Sequence, residues 1–443
     1  DKSMRKPLVA IVGRPNVGKS TFFNKICGKR ISIVEDTPGV TRDRIYGEGE
    51  WCGYNFSIVD TGGMDFRSDD VFNGDILSQA QIAVDLADVI VFMVDGREGL
   101  CAKDHDVANY LRRCNKPCVL VVNKLDRFEV ENSYEFYELG IGEPYPISCE
   151  QAKGLGEVLD AIVEHLPKVD EDEASKTLKI AIVGRPNAGK SSLTNALIGE
   201  SRVIVSDVAG TTRDAIDTPF RYDGKDYILI DTAGMRKSKS VDYGTVESYS
   251  VIRSMEAIKR ADVVLIVIDA TQPVSEQDVR ICGYVHEEGK PSVVVMNKWD
   301  TVNKDDKTIN KYKKMLDEKL AFMDYYQPLF ISALTKKRVG EVMPMVEQVY
   351  AHASHRISTG VINQILQEAI MANEPPMRNG RKLKINYATQ ASTNPPTFVF
   401  FCNDPELAHF SYIRYLENRI RTSVDFSGTP IKLVMKGKDE KDI

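Results

Sequence analysis

The chain has 443 residues, 42% hydrophobic and 28% charged, with a formal net charge of −6; this predicts several domains and excludes uniform coating of nucleic acid. No apolar run is long enough to span a membrane, and residues 1–7 lack a signal-peptide core. The eight cysteines form no disulfide or zinc framework, so the expectation is a cytoplasmic protein with free thiols, no transition-metal site and no membrane partner.

The first predicted element is an apolar strand over residues 8–12. It runs into Gly13-Arg14-Pro15-Asn16-Val17-Gly18-Lys19-Ser20, which fits G-x-x-x-x-G-K-[ST], the loop whose backbone N–H groups cradle phosphates. A helix follows, with Thr21 in its first turn. Its N-terminus and Lys19 supply positive charge, and the glycines let the main chain approach a large anion. Residues 35–44 are irregular and contain Thr41. Residues 54–59 alternate as a strand does and end at Asp60-Thr61-Gly62-Gly63. Two continuous apolar runs, 89–95 and 118–122, predict central parallel strands. The second ends at Asn123-Lys124-Leu125-Asp126. A short strand then leads to Ser148 and Cys149, and a helix runs to about residue 166. Residues 1–167 thus form one α/β unit, and the acidic, apolar-poor stretch 168–176 reads as a linker.

The same grammar then recurs over residues 177–353. Gly184-Arg185-Pro186-Asn187-Ala188-Gly189-Lys190-Ser191 repeats the loop, with Ser192 next in line. Gly13 and Gly184, Thr41 and Thr212, and Asp60 and Asp231 are each displaced by 171 residues. Asn123-Lys124-Leu125-Asp126 maps to Asn297-Lys298-Trp299-Asp300, Ser148 to Ser332, and Cys149 to Ala333. Constant displacement followed by slow drift indicates a duplicated domain. Asp223-Gly224 signals a hairpin, so an antiparallel edge strand is expected in a mostly parallel sheet.

The repeated positions carry a coherent chemistry. A carboxylate at Asp126 or Asp300 accepts both guanine N1–H and the 2-amino group, whereas adenine would leave it unpaired; such sites discriminate by about 10⁴-fold. Asn123 and Asn297 are expected to reach the base's other polar edge, and Lys124 and Lys298 to cover its face. Ser20 and Ser191 are candidate Mg²⁺ ligands through their hydroxyls, with Thr41 and Thr212 placed to close on the ion and Asp60 and Asp231 to hold it through water. Gly63 and Gly234 offer N–H groups to the γ-phosphate, whose loss would release both adjoining segments.

From about residue 354 to 443 the pattern changes to α-β-β-α-β, with strands at 382–388, 396–401 and 430–435 and a second helix over 405–421. Twelve Lys and Arg against nine Asp and Glu make this part mildly basic. Arg378, Arg381, Lys382, Lys384, Arg414, Arg419 and Arg421 are candidate phosphate contacts.

On these motifs the chain resembles the bacterial tandem-GTPase family called Der or EngA over essentially its whole length. The resemblance implies two P-loop NTPase G domains, each a mostly parallel doubly wound sheet, followed by an α+β KH-like domain. It also implies GTP hydrolysis to GDP and phosphate during assembly of the large (50S) ribosomal subunit. The expected partners are that subunit and its rRNA, with a GTPase-activating protein as a further candidate, for a chain acting as a monomer. Two features depart from better-known relatives. Met64 and Met235 stand where Ras-like GTPases carry a water-orienting Gln. The resemblance to other GTPases with an apolar residue there points to K⁺ held beside the phosphates by Asn16 and Asn187. The KH-like part also lacks the G-x-x-G loop by which KH domains clamp nucleic acid. An alternative reading is a nucleotide-gated scaffold for another RNA pathway, in which one G domain binds GTP and barely hydrolyses it. The segment after Gly63 is acidic and the one after Gly234 basic, which suits them to different surfaces.

Overall fold

Leu8–Gly13 (β1) is buried at all six positions, as a strand covered on both faces must be. The computed structural model containing it describes residues 6–27, 46–63, 76–126, 129–167, 177–199, 202–203, 217–232, 247–305 and 307–437. Expectations for Thr41, Thr212, Met64, Gly234, Met235, the charged segments 65–70 and 236–239 and the linker 168–176 lie outside those residues.

In the first unit, β1 is followed by α1 (Lys19–Ile26), β2 (Tyr46–Trp51), β3 (Tyr54–Asp60), α2 (Ile76–Leu86), β4 (Val89–Asp95), α3 (Ala102–Cys114), β5 (Cys118–Asn123), β6 (Pro144–Pro146) and α4 (Leu155–His165). The strands form one sheet in the order β2-β3-β1-β4-β5-β6. Only the β2–β3 pair is antiparallel among these neighbours. The turn between β2 and β3 is Cys52-Gly53, both at positive φ. Alternation along β1 splits the core: Leu8, Ala10 and Val12 pack on one face, Val9 and Ile11 on the other. Register then aligns the strand ends. Ile11 pairs with Asp60, Gly13 with Met93, and Asp95 with Asn123, so the motif residues gather at the C-terminal edge, where doubly wound sheets place ligands.

The second unit repeats this plan with β7 (Leu178–Gly184), α5 (Lys190–Gly199), β8 (Arg202–Val203), β9 (Thr218–Tyr222), β10 (Lys225–Leu229), α6 (Glu247–Arg260, of which 254–260 belong to this unit), β11 (Val263–Asp269), α7 (Glu276–Glu287), β12 (Ser292–Asn297), α8 (Thr308–Lys319), β13 (Pro328–Phe330) and α9 (Val342–Ser354). The sheet order is β13-β12-β11-β7-β10-β9-β8. The expected hairpin is β9–β10, but β9 is not the edge: β8 pairs antiparallel outside it.

The same unit continues into α10 (Thr359–Ala372), β14 (Met377–Arg378), β15 (Arg381–Lys382), β16 (Ile385–Ser392), β17 (Thr397–Cys402), α11 (Phe410–Ser423) and β18 (Lys432–Lys436). The order β16-β17-β18 makes a separate sheet with its own core, including Ile365, Phe398, Phe400 and Leu416. The α-β-β-α-β reading holds, with two differences. The helix expected over 405–421 breaks into a 3₁₀ turn, Pro405–Leu407, and α11, because Asp404 and His409 each cap a separate start. The small β14–β15 hairpin, turning at Asn379-Gly380, was not expected, although Asn-Gly is a strong hairpin signal.

The C-terminal part is bonded to the second sheet at the end opposite the motif residues. Ser292 N–H, at the start of β12, donates to Gly428 O at 2.9 Å, and Gly428 N–H donates to Tyr325 O at 2.8 Å. Arg421 lies 4.8 Å over the Tyr325 ring and donates to Phe426 O and Thr429 O at 3.1 and 3.0 Å. His286 Nδ1 shares a 2.7 Å hydrogen bond with the Tyr325 hydroxyl. Arg421 therefore serves this junction rather than an external phosphate.

Candidate functional site

Each phosphate loop begins where a central strand ends. Gly13 and Gly184 close β1 and β7; a Cβ on Gly13 would fall 2.6 Å from Met93 O and one on Gly184 would collide with Val267 O. Asn16 and Asn187 take left-handed backbone at φ 66° and 65°, and Gly18 and Gly189 follow at φ 102°. These positive values fold the loop around its own N–H groups, the concave arrangement that binds anions. Thr21 and Ser192 lie exposed in the first turn of the following helices.

Lys19 is 8% exposed and its ammonium donates to Gly13 O and, at 3.0 Å, to Arg14 O. Lys190 donates to Gly184 O at 2.8 Å. Burial pushes the Lys19 ammonium below its usual value, and Asp60 opposes the shift. Each lysine is thus held across the mouth of its loop, where an incoming phosphate can exchange with carbonyl acceptors. Asp60 is 3% exposed; its Oδ2 stands 3.4 Å from Ser20 Oγ and its Oδ1 accepts Gly62 N–H at 3.0 Å. A hydroxyl and a carboxylate at this spacing are hard oxygen donors of the kind Mg²⁺ takes. Gly63 ends the short 3₁₀ turn Thr61–Gly63 beside them. In the second copy Asp231 sits at φ 57° and Ser191 is the second residue of α5.

The asparagines are each held between two loops. Asn123 Nδ2 donates to Val17 O at 2.8 Å while its Oδ1 accepts Cys149 N–H at 3.0 Å. Asn297 does the same with Ala188 O and Ala333 N–H, at 2.9 and 3.0 Å. Both are almost fully buried. They brace the phosphate loop against the Ser148 and Ser332 loops. Those serines are also buried, and their hydroxyls accept the N–H of Gln151 and Thr335 at 3.4 and 3.1 Å. Cys149 is 2% exposed, and burial pushes its thiol up to about 12, so it acts as a small apolar neighbour.

Lys124 and Lys298 adopt φ 66° and 62°, and their ammoniums pair with Asp95 and Asp269 at 2.7 and 2.9 Å. Lys298 also donates to Asn187 O at 2.8 Å. Burial alone would raise the Asp95 carboxyl, but Lys124 and the N–H groups of Glu98 and Arg97 hold it below its ordinary range. The same balance, with Thr271 and Lys298, lowers Asp269. Asp126 accepts Gln151 Nε2 at 2.8 Å and lies 3.5 Å from Arg97 Nη2. Asp300 stands exposed on the 3₁₀ turn Trp299–Thr301. Trp299 anchors that turn, packing on Phe330 at 4.7 Å between centroids.

One support was missed from sequence. Arg14 Nε donates to Asp104 at 3.1 Å and Arg185 Nε to Asp278 at 2.9 Å. Each aspartate is buried and caps the helix after the fourth or eleventh strand through Cys101 N–H or Ser275 N–H. The capping pattern at Ser275 and Asp278 is readable in sequence; its arginine partner, 93 positions away, is not. Among the described residues no group of His, Cys, Asp and Glu could hold a metal by itself, and no helix is long and apolar enough to cross a membrane.

Residues 8–124 and 179–298 match a family model described as a 50S ribosome-binding GTPase. Residues 356–436 match one described as the C-terminal KH-domain-like part of EngA bacterial GTPases. The chain is 53% identical over 441 residues to the GTPase Der of Desulforamulus reducens, covering 99% of this chain and all of that one. It is 54% identical over 435 residues to the GTPase Der of Listeria innocua, covering 98% and 99%. Among solved structures, Era from Aquifex aeolicus aligns at 23% identity and a TM-score of 0.31, over 58% of this chain and 88% of that one.

Proposed function

The chain belongs to the GTPase Der family, and on that premise we propose that it is a two-site switch that binds and hydrolyses GTP while the large ribosomal subunit is assembled. The observation that carries the reading is duplication of one constellation: phosphate loop, bracing asparagine and the aspartate three residues after it, at the C-terminal edge of each sheet. We assign the domains as 1–167, 177–353 and 354–443, in a cytoplasmic monomer.

In each site the loop N–H groups and Lys19 or Lys190 bind the phosphates, and Asp126 or Asp300 reads guanine. Ser20 with Asp60, and Ser191 with Asp231, would hold Mg²⁺, joined by Thr41 and Thr212. Bound there, Mg²⁺ would neutralise charge on the phosphate oxygens. Asn16 and Asn187 are exposed on left-handed backbone, and a neutral amide oxygen on a tight loop suits K⁺. Because methionine follows Gly63 and Gly234, no side chain there can orient water. Backbone N–H groups take that role in this reading. The same methionines favour a second reading, in which one domain binds GTP and barely turns it over; single Lys19→Ala and Lys190→Ala variants assayed for binding and turnover separate the two. Cosedimentation with 50S subunits in GTP-analogue and GDP states tests the main proposal. Binding that depends on nucleotide supports it, and no binding in either state overturns it.

A further inference from the structure

The two nucleotide sites differ at the residue that begins their Asp-x-x-Gly segments. In the first, Asp60 remains in β3, paired with Ile11, with its carboxylate toward Ser20. In the second, β10 ends at Leu229 and Asp231 turns to φ 57°. Its N–H donates to Asp217 Oδ1 at 2.9 Å. Asp217 is in turn held by Arg260 at the end of α6, with Nη1 3.3 Å from Oδ1 and Nη2 on Oδ2. The Arg260 and Asp217 side chains are only 12% and 9% exposed.

Among the described residues the first unit has no such pair. Gly47 pairs with Ile58 as Thr218 pairs with Leu229, so Tyr46 occupies the place of Asp217. Asp88 and Asp262 make the same bond, to Leu8 N–H and Lys179 N–H, so Leu86 occupies the place of Arg260. Tyr46 and Leu86 pack against the apolar core. Where the first copy packs Tyr46 and Leu86 on its core, the second carries a largely buried ion pair, and the backbone of the neighbouring aspartate differs with it. Two charges taken out of water stay only where geometry and hydrogen bonds compensate them, and here the compensation includes the Asp231 N–H.

We propose that Asp217 and Arg260 form a catch, built into the second G domain alone, that holds Asp231 off its strand and so lowers the Mg²⁺ affinity of that site relative to the first. The inference rests on the reading above that Asp231 helps to hold Mg²⁺. The carboxylate ties the Asp231 main chain to the end of the helix that follows it, so that main chain takes the strand conformation of Asp60 only when this hydrogen bond opens. Apparent affinity then falls by the fraction of time the competent state is populated.

The test uses the full chain carrying Asp126→Asn, so that a fluorescent GDP reports the second site, and measures GDP release against Mg²⁺ concentration. Asp217→Tyr with Arg260→Leu, which installs the first domain's pair, is expected to lower the Mg²⁺ concentration that half-suppresses release by about fivefold, as for a competent state populated about a fifth of the time. Asp217→Asn keeps an acceptor and removes the charge, so it should shift the midpoint part of the way and stands in if the double variant does not fold. An unchanged or raised midpoint overturns the catch. Asp231→Ala separates the premise: if it leaves the Mg²⁺ midpoint where it was, the metal reading of Asp231 fails and the catch with it. If Asp231→Ala raises the midpoint while the Asp217 variants do not lower it, the catch alone fails.

Discussion

Asn123 and Val17, 106 positions apart in sequence, are joined by a 2.8 Å hydrogen bond from the side-chain amide to the loop carbonyl. The same amide excludes any side chain at Gly18, because a Cβ there would collide with Nδ2. Motif and loop are one mechanical unit. Asn123→Ala removes both bonds of the buried brace and leaves the Val17 carbonyl and Cys149 N–H short of partners, a loss of roughly 1–3 kcal/mol for each unsatisfied group. GDP and GTP-analogue affinity at the first site should fall together, about ten- to hundredfold, with the preference for guanine over adenine retained because Asp126 is intact. Calorimetric titration with GDP and ADP checks this; loss of base preference would mean that Asn123 reads the base after all.

Base selection should follow Asp300 in the second site. Asp300→Asn offers a donor where guanine also donates, so GDP affinity should drop by about 10⁴-fold or less. Xanthosine diphosphate, which carries an oxygen at C2, should bind the variant better than GDP does. Competition against fluorescent GDP measures both, and an unaltered order of affinities would contradict the assignment.

Turnover should be faster in KCl than in NaCl at matched ionic strength, and Asn16→Ala with Asn187→Ala should erase the difference. An arginine supplied to the same transition-state charge is worth about 10³–10⁵ in rate, and a monovalent cation is expected to give part of that. Equal kcat in the two salts removes the cation from the account.

Acid should loosen the junction between the second sheet and the C-terminal part through His286. Burial, aided by Arg421 and Lys432 and opposed by Glu287 and Asp324, holds its imidazole below the ordinary 6.5. As pH falls through 6.5 the unfolded chain takes up the proton first. The stability His286 contributes is therefore complete above that value and declines toward the lower folded-state value. His286→Gln should flatten the fall in Tm across this window, and an unchanged slope would contradict it.

How much of this was legible varies by residue. The continuous apolar runs 89–95 and 118–122 announced buried parallel strands, and β4 and β5 are those strands. The phosphate loops were equally plain, since Gly18 and Gly189 answer a backbone demand that no other residue meets easily. What sequence could not carry was partnership at long range. The brace by Asn123, the hold of Asp104 on Arg14 and the catch of Arg260 on Asp217 join residues 43 to 106 positions apart. A motif names such residues without saying which atoms they face. Asn379-Gly380 was a different kind of miss, a readable turn passed over because its strands are two residues each.

Two guanine-nucleotide sites on one chain make the stoichiometry of GDP binding decisive. Equilibrium dialysis at saturating GDP and Mg²⁺ should give two GDP per chain, falling to one with either Asp126→Asn or Asp300→Asn and to none with both. One GDP per unaltered chain, or displacement of both by equimolar ADP, would contradict the account.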